Sequence, residues 1–144
     1  MKQTAAVLIP AEAMTPAEAL MTVAVLAMDA DDCYAFSEMQ RLRALAGLHP
    51  LFRDAANSAD RFIGQRFADL RARGRVALLE ETQRVLSPRL RQTAYAWAAE
   101  LVYADGSVAG KERVFLDDLA RRFEVPGPLA RKIQAVVAIL RRTA

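Results

Sequence analysis

Residues 23–46 read VAVLAMDADDCYAFSEMQRLRALA, and 74 positions further on residues 97–120 read WAAELVYADGSVAGKERVFLDDLA. Eight of the 24 aligned positions are identical: Ala24/Ala98, Ala30/Ala104, Asp31/Asp105, Ala35/Ala109, Glu38/Glu112, Leu42/Leu116, Leu45/Leu119 and Ala46/Ala120. Unmatched neighbours mostly keep their character, as Val23 with Trp97, Met28 with Val102 and Tyr34 with Val108. Each copy is an apolar run, an acidic turn, and then a run with apolar residues every three or four positions, the period of an amphipathic helix. Two copies make an internal duplication and not a solenoid.

Working outward, helix signals cover the rest of the chain. Thr15-Pro16-Ala17-Glu18 reads as an N-cap, a first-turn proline and a capping-box glutamate, opening a helix that runs to about Met28. Its apolar residues lie on most faces, so it is expected to be central and buried. A second helix follows from about Ala35 and stops near Gly47, and a short helix is expected around Leu51–Ala56. Asn57-Ser58 caps a helix over about 59–71, Gly74 separates it from one over 76–86, and Ser87-Pro88 opens the next by the same logic as Thr15-Pro16. Helices over about 109–123 and 129–141 flank the break at Pro126-Gly127-Pro128. No window alternates like a strand. The expected fold is all-α: a compact bundle of seven to eight short helices with an internal pseudo-twofold repeat, the units spanning about 15–56 and 87–144 of a single domain over 15–144. Residues 1–14 read as an N-terminal arm, because Pro10 and Glu12 interrupt its apolar run before a signal-peptide core forms.

At 144 residues the chain is long enough for one domain with its own core. One cysteine, Cys33, excludes an internal disulfide and fits a reducing cytoplasm. Asp31 and Asp32 beside it would raise its pKa and disfavour a reactive thiolate. Seventeen of the 20 basic residues are arginine, and the net charge is +3. Seventeen acids mixed along the chain, and no aromatic-and-basic motif, argue against nucleic acid. Short basic clusters stand at Arg71/Arg73/Arg75, Arg121-Arg122, Arg131-Lys132 and Arg141-Arg142. They read as solvated faces, with an acidic protein partner or an anionic membrane surface as the alternative.

Enzymatic chemistry is not expected. His49 is the single histidine, no nucleophile stands near it, and no zinc cluster or phosphate loop is present. Tyr95, Trp97 and Tyr103 at helical spacing read as core and rim. The acidic turns are the remaining candidates. Asp in the turn and Glu in the first turn of the next helix let two carboxylates face one small space that also holds free helix-start N–H groups. Those acids either cap their helices or, with loop carbonyls, ligate a hard cation such as Ca²⁺ or Mg²⁺. The spacing lacks the 1, 3, 5 oxygen pattern of an EF-hand, so a cation site would have to be shared by both turns.

Ala104-Asp105-Gly106-Ser107-Val108, then Glu112-Arg113, Phe115-Leu116 and Leu119-Ala120, resembles the repeat of the tellurite-resistance TerB family, whose fold also occurs in the N-terminal part of DjlA-type co-chaperones. The resemblance runs from about Thr15 to Leu140. It implies an all-helical, pseudo-symmetric fold, a bacterial setting in the cytoplasm or at the inner membrane surface, and a stress-response role through protein partners. It also implies a cation site at Asp31, Glu38, Asp105 and Glu112. The chain departs from the pattern where Asp32 replaces Gly106 and where Ala35 and Ala109 stand in place of a polar cap. The expected function is therefore a TerB-like stress-response module with divalent-cation binding. The alternative is a purely structural interaction module whose acids only cap helices.

Overall fold

A computed structural model describes residues 14–30, 36–52, 59–103 and 110–142. Among them are seven α-helices and no strand: α1 Pro16–Asp29, α2 Phe36–Leu48, α3 Ala59–Arg73, α4 Arg75–Val85, α5 Pro88–Val102, α6 Gly110–Arg122 and α7 Gly127–Leu140. The all-α reading of the sequence holds. The short helix expected at 51–56 is a 3-10 turn, Pro50–Phe52, and the residues after it lie outside the described set.

Helix α1 is the centre of the bundle. All ten residues from Ala19 to Met28 are buried, and the helix packs on α5, α3 and α4. A helix apolar all round has no face to offer water, so its neighbours must enclose it. The partner it meets most extensively is α5, which buries Ala94, Tyr95, Trp97, Ala98, Ala99, Leu101 and Val102. The two helices that precede the acidic turns therefore pack on each other. The helices that follow the turns also correspond: Phe36–Leu48 and Gly110–Arg122 are both 13 residues long, with bounds offset by 74.

The starts of the helices follow the sequence signals. Thr15 Oγ1 accepts from Glu18 N at 3.1 Å, and the Glu18 carboxylate accepts from Thr15 N at 2.9 Å, completing the capping box. Ser87 Oγ accepts from Leu90 N at 3.2 Å. Gly74 stands between α3 and α4 at φ +85° and ψ 163°, a conformation open in practice only to glycine.

The helix ends are less legible. Gly47 does not stop α2, which runs on to Leu48. Helix α6 ends in a Schellman motif without glycine: Val125 N donates to Ala120 O, Glu124 N donates to Arg121 O, and Glu124 itself is left-handed at φ 56°. The break thus precedes Pro126-Gly127-Pro128, and α7 begins at Gly127, two residues ahead of the expected Leu129. Met14, read as the end of the arm, is buried, and its N–H donates to the Glu81 carboxylate at 3.1 Å. Val114 and Val136 lie on helices with apolar faces but are themselves exposed.

Three arginines satisfy the free carbonyls at helix C-termini. Arg91 on α5 donates from Nε to Leu86 O (3.1 Å) and from NH2 to Gln83 O (2.6 Å), closing α4. Arg141, just past α7, donates to Glu100 O (3.1 Å) and Tyr103 O (3.2 Å), and pairs with the Glu100 carboxylate, closing α5. Arg75 on α4 donates to Leu26 O (3.4 Å) and to Asp29 Oδ2 (2.7 Å), closing α1. The last carbonyls of a helix have no intrahelical partner and carry partial negative charge. A guanidinium has donors spread over a rigid fork and reaches two carbonyls at once; an ammonium is a point donor. Three of the 17 arginines are thus spent on helix ends inside the fold. Substituting Arg91→Lys keeps the charge and loses the fork. Urea unfolding is expected to show a loss of about 1–2 kcal/mol; an unchanged midpoint would mean the two carbonyls are equally well served by water.

Candidate functional site

The structure places Glu38 and Glu112 alike. Each is the third residue of its helix, and each is buried, at 6% and 7% exposure. These are the only buried carboxylates among the described residues. Burying a carboxylate is costly unless donors or cations meet it, and neither side chain is without a partner. The third position is also the one that Glu18 occupies in the capping box of α1, where its carboxylate accepts from the cap residue's N–H. Asp31 and Asp105, the turn members of the expected set, lie outside the described residues.

The flanks of the two acidic turns meet at one cleft of about 960 Å³. Asp29 and Ala30 reach it from the end of α1, immediately before the first turn. Gly110 and Lys111 reach it from the start of α6, immediately after the second. Its apolar lining includes Leu79 and Phe115, with Val76 and Val114 on the rim. The Arg75 guanidinium lies 5.5 Å from the Phe115 ring while it holds Asp29, tying α4, α1 and α6 together beside the cleft.

The cleft's own carboxylates are largely committed. Asp29 is held by Arg75, and Asp118 is held by both Arg121 and Arg122. Among the described residues no three potential ligands gather into a metal-sized group. Neither Glu38 nor Glu112 lines the cleft, so a cation held there would depend on acids outside the described residues.

The other singled-out residues take structural places. His49 packs edge-on against Phe52 and Trp97, with ring centroids at 6.1 and 5.7 Å, and its Nδ1 accepts from Leu51 N at 3.2 Å. Burial lowers its pKa. Tyr95 is fully buried, which raises its pKa, and its hydroxyl accepts from Gln134 Nε2 at 2.7 Å. Gln134 Oε1 accepts in turn from Tyr103 at 3.3 Å, so one glutamine on α7 ties Tyr95 of α5 and Tyr103 at the C-cap of that helix. Glu81 holds the start of α1 through Met14 N and holds α3 through Arg73 at 2.6 Å. Burial pushes its pKa up, but the hydrogen bonds from Arg73 and Met14 outweigh this and leave it below the ordinary value. Sequence reasoning did not single out Glu81, Gln134 or Arg91: Glu81 and Gln134 reach partners 31 to 67 residues away, and Arg91 reaches back across a helix boundary to Leu86 and Gln83.

No protein-family model, curated protein or solved structure matches this chain.

The neutral ring of His49 sets a pH dependence. Its pKa is lowered on folding, so the unfolded chain takes up the proton first. Stability should be full above about pH 6.5 and should fall as the pH drops below that value toward the folded pKa. His49 is the single histidine, so one substitution isolates the effect. Urea midpoints at pH 7.5 and 5.5 should differ for the parent chain, and the difference should shrink in His49→Asn. An equal slope in both would assign the titration to another group.

Proposed function

We propose that this chain is a non-catalytic, TerB-like helical module whose two acidic turns act as copies of one unit and take up a divalent cation, Ca²⁺ or Mg²⁺, through Asp31, Glu38, Asp105 and Glu112. In this reading cation occupancy sets the conformation of the turns and so biases contact with a protein partner in a bacterial stress response. The observation that carries the reading is the convergence of the turn flanks: Ala30 and Gly110 line one cleft. A shared site requires the two acidic segments to lie close together, and the residues bordering them, Ala30 and Gly110, support this by lining the same cleft. The matching burial of Glu38 and Glu112 supports it further. Hard cations favour several oxygen ligands, and two turns supply more than one turn could. The setting in the cell and the stress-response role rest on the resemblance of residues 104–120 to the TerB repeat.

A second reading has its own support. Glu38 and Glu112 occupy the helical position at which Glu18 closes a capping box. In that reading the acids only cap α2 and α6, and the module works by protein contact without metal.

Calorimetric titration with Ca²⁺, Mg²⁺ and Mn²⁺, with melting curves alongside, separates the two. Cation binding predicts one site per chain and a Tm that rises with metal concentration. Asp105→Asn and Glu112→Gln should each weaken binding about tenfold or more. No heat and no Tm change at millimolar metal would leave the capping reading. Under capping, Glu112→Gln should lower stability by about 0.5–2 kcal/mol whether or not metal is added.

A further inference from the structure

Helix α7, Gly127–Leu140, buries one side only. Ala130 and Val137 are buried, Ile133 and Gln134 are half-buried on the same side, and Arg141 continues that row to close α5. The opposite side is exposed and carries two kinds of residue. Val136, Ile139 and Leu140 are 54%, 51% and 62% exposed, and Arg131, Lys132 and Arg142 are exposed around them. At 100° per residue, Lys132, Val136 and Ile139 form one outward row. Arg131, Ala135 and Arg142 form the row beside it.

The charge of this face is uncompensated. No acid occurs between Gly127 and Arg142. Several arginines elsewhere are spent on carboxylates: Arg73 on Asp69 and Glu81, Arg75 on Asp29, Arg121 and Arg122 on Asp118, Arg141 on Glu100. Among the described residues Arg131, Lys132 and Arg142 have no such partner.

We infer that the outward face of α7 lies on an anionic lipid bilayer, with Val136, Ile139 and Leu140 in the interface and Arg131, Lys132 and Arg142 among the headgroups. The charge selects an anionic occupant. The apolar residues between the cations select a bilayer, since an interfacial helix buries aliphatic side chains a few ångströms deep while long basic side chains reach back to headgroup phosphates. Nucleic acid would call for exposed aromatic rings to stack on bases, and this face has none. A second copy of the same face would set three cations against three. The face is a convex helix side and not a groove, which suits a planar partner. Among the described residues no helix is long and apolar enough to cross a membrane, so contact through α7 would be peripheral. The inference is independent of the cation reading, because α7 lines no part of the cleft.

Co-sedimentation of the full chain with vesicles tests it. With 3:1 phosphatidylcholine:phosphatidylglycerol vesicles, binding is expected at low salt and should decline steeply as salt is raised; pure phosphatidylcholine should bind little. Arg131→Ala with Lys132→Ala should lower partitioning on the order of tenfold or more, from the usual contribution of a basic residue near an anionic surface. Ile139→Ser should lower it several-fold at unchanged charge, which a purely electrostatic contact would not show. All three positions are exposed, and unchanged circular dichroism and Tm keep a loss of binding distinct from misfolding. The inference is overturned if phosphatidylglycerol vesicles do not bind, or if binding is indifferent to both α7 variants. It is also overturned if the chain self-associates through this face, so that Ile139→Ser dissociates a dimer while vesicle binding is absent.

Discussion

The packing of α1 against α5 is the constraint on which the rest of the structure depends. Helix α1 is buried through ten successive residues, so it is stable only when enclosed. Helix α5 covers it most extensively, and α3 and α4 complete the enclosure. Because α1 ends shortly before the first acidic segment and α5 shortly before the second, the same packing that builds the core also fixes the described residues that precede both. Their flanks, Ala30 and Gly110, meet at one cleft as a consequence.

Short helices impose a second constraint. Each one presents free carbonyls at its C-terminus, and a small bundle brings several such ends near its surface. Here Arg75, Arg91 and Arg141 meet the ends of α1, α4 and α5. Each arginine comes from a different helix or helix end, so satisfying a carbonyl also ties two elements together. The +3 charge of the chain therefore overstates the positive surface on offer. On α7 and just past it, Arg131, Lys132 and Arg142 stand exposed beside exposed aliphatic side chains.

The fold class was legible because its signals are local. Thr15-Pro16-Ala17-Glu18 and Ser87-Pro88 encode helix starts in four residues or fewer, and the structure closes both caps as written. Helix ends were less legible. Gly47 lies inside α2 because a glycine in a last turn is tolerated when the next residue continues the helix, while α6 ends at Arg122 and is closed by Glu124, whose left-handed backbone no residue pattern announces. Val114 and Val136 were readable as helical but not as exposed, since apolarity alone does not say which side a neighbour will cover. Of the candidate site, Glu38 and Glu112 were found by the 74-residue offset, and their equal burial is a tertiary fact that the offset only suggested. Glu81 and Gln134 carried no signal at all, as each acts through partners 31 to 67 residues away or across a helix boundary.

Native-state hydrogen exchange tests the central claim most directly. If α1 and α5 form one cooperative unit, their core amides, from about Leu20 to Met28 and from about Ala94 to Leu101, should exchange only through global unfolding. They should then share one opening free energy and one denaturant slope, while the outer helices α2 and α7 open earlier. Exchange of α1 through its own lower-energy opening, with α5 still protected, would contradict the account, because the two acidic turns would then rest on separate supports.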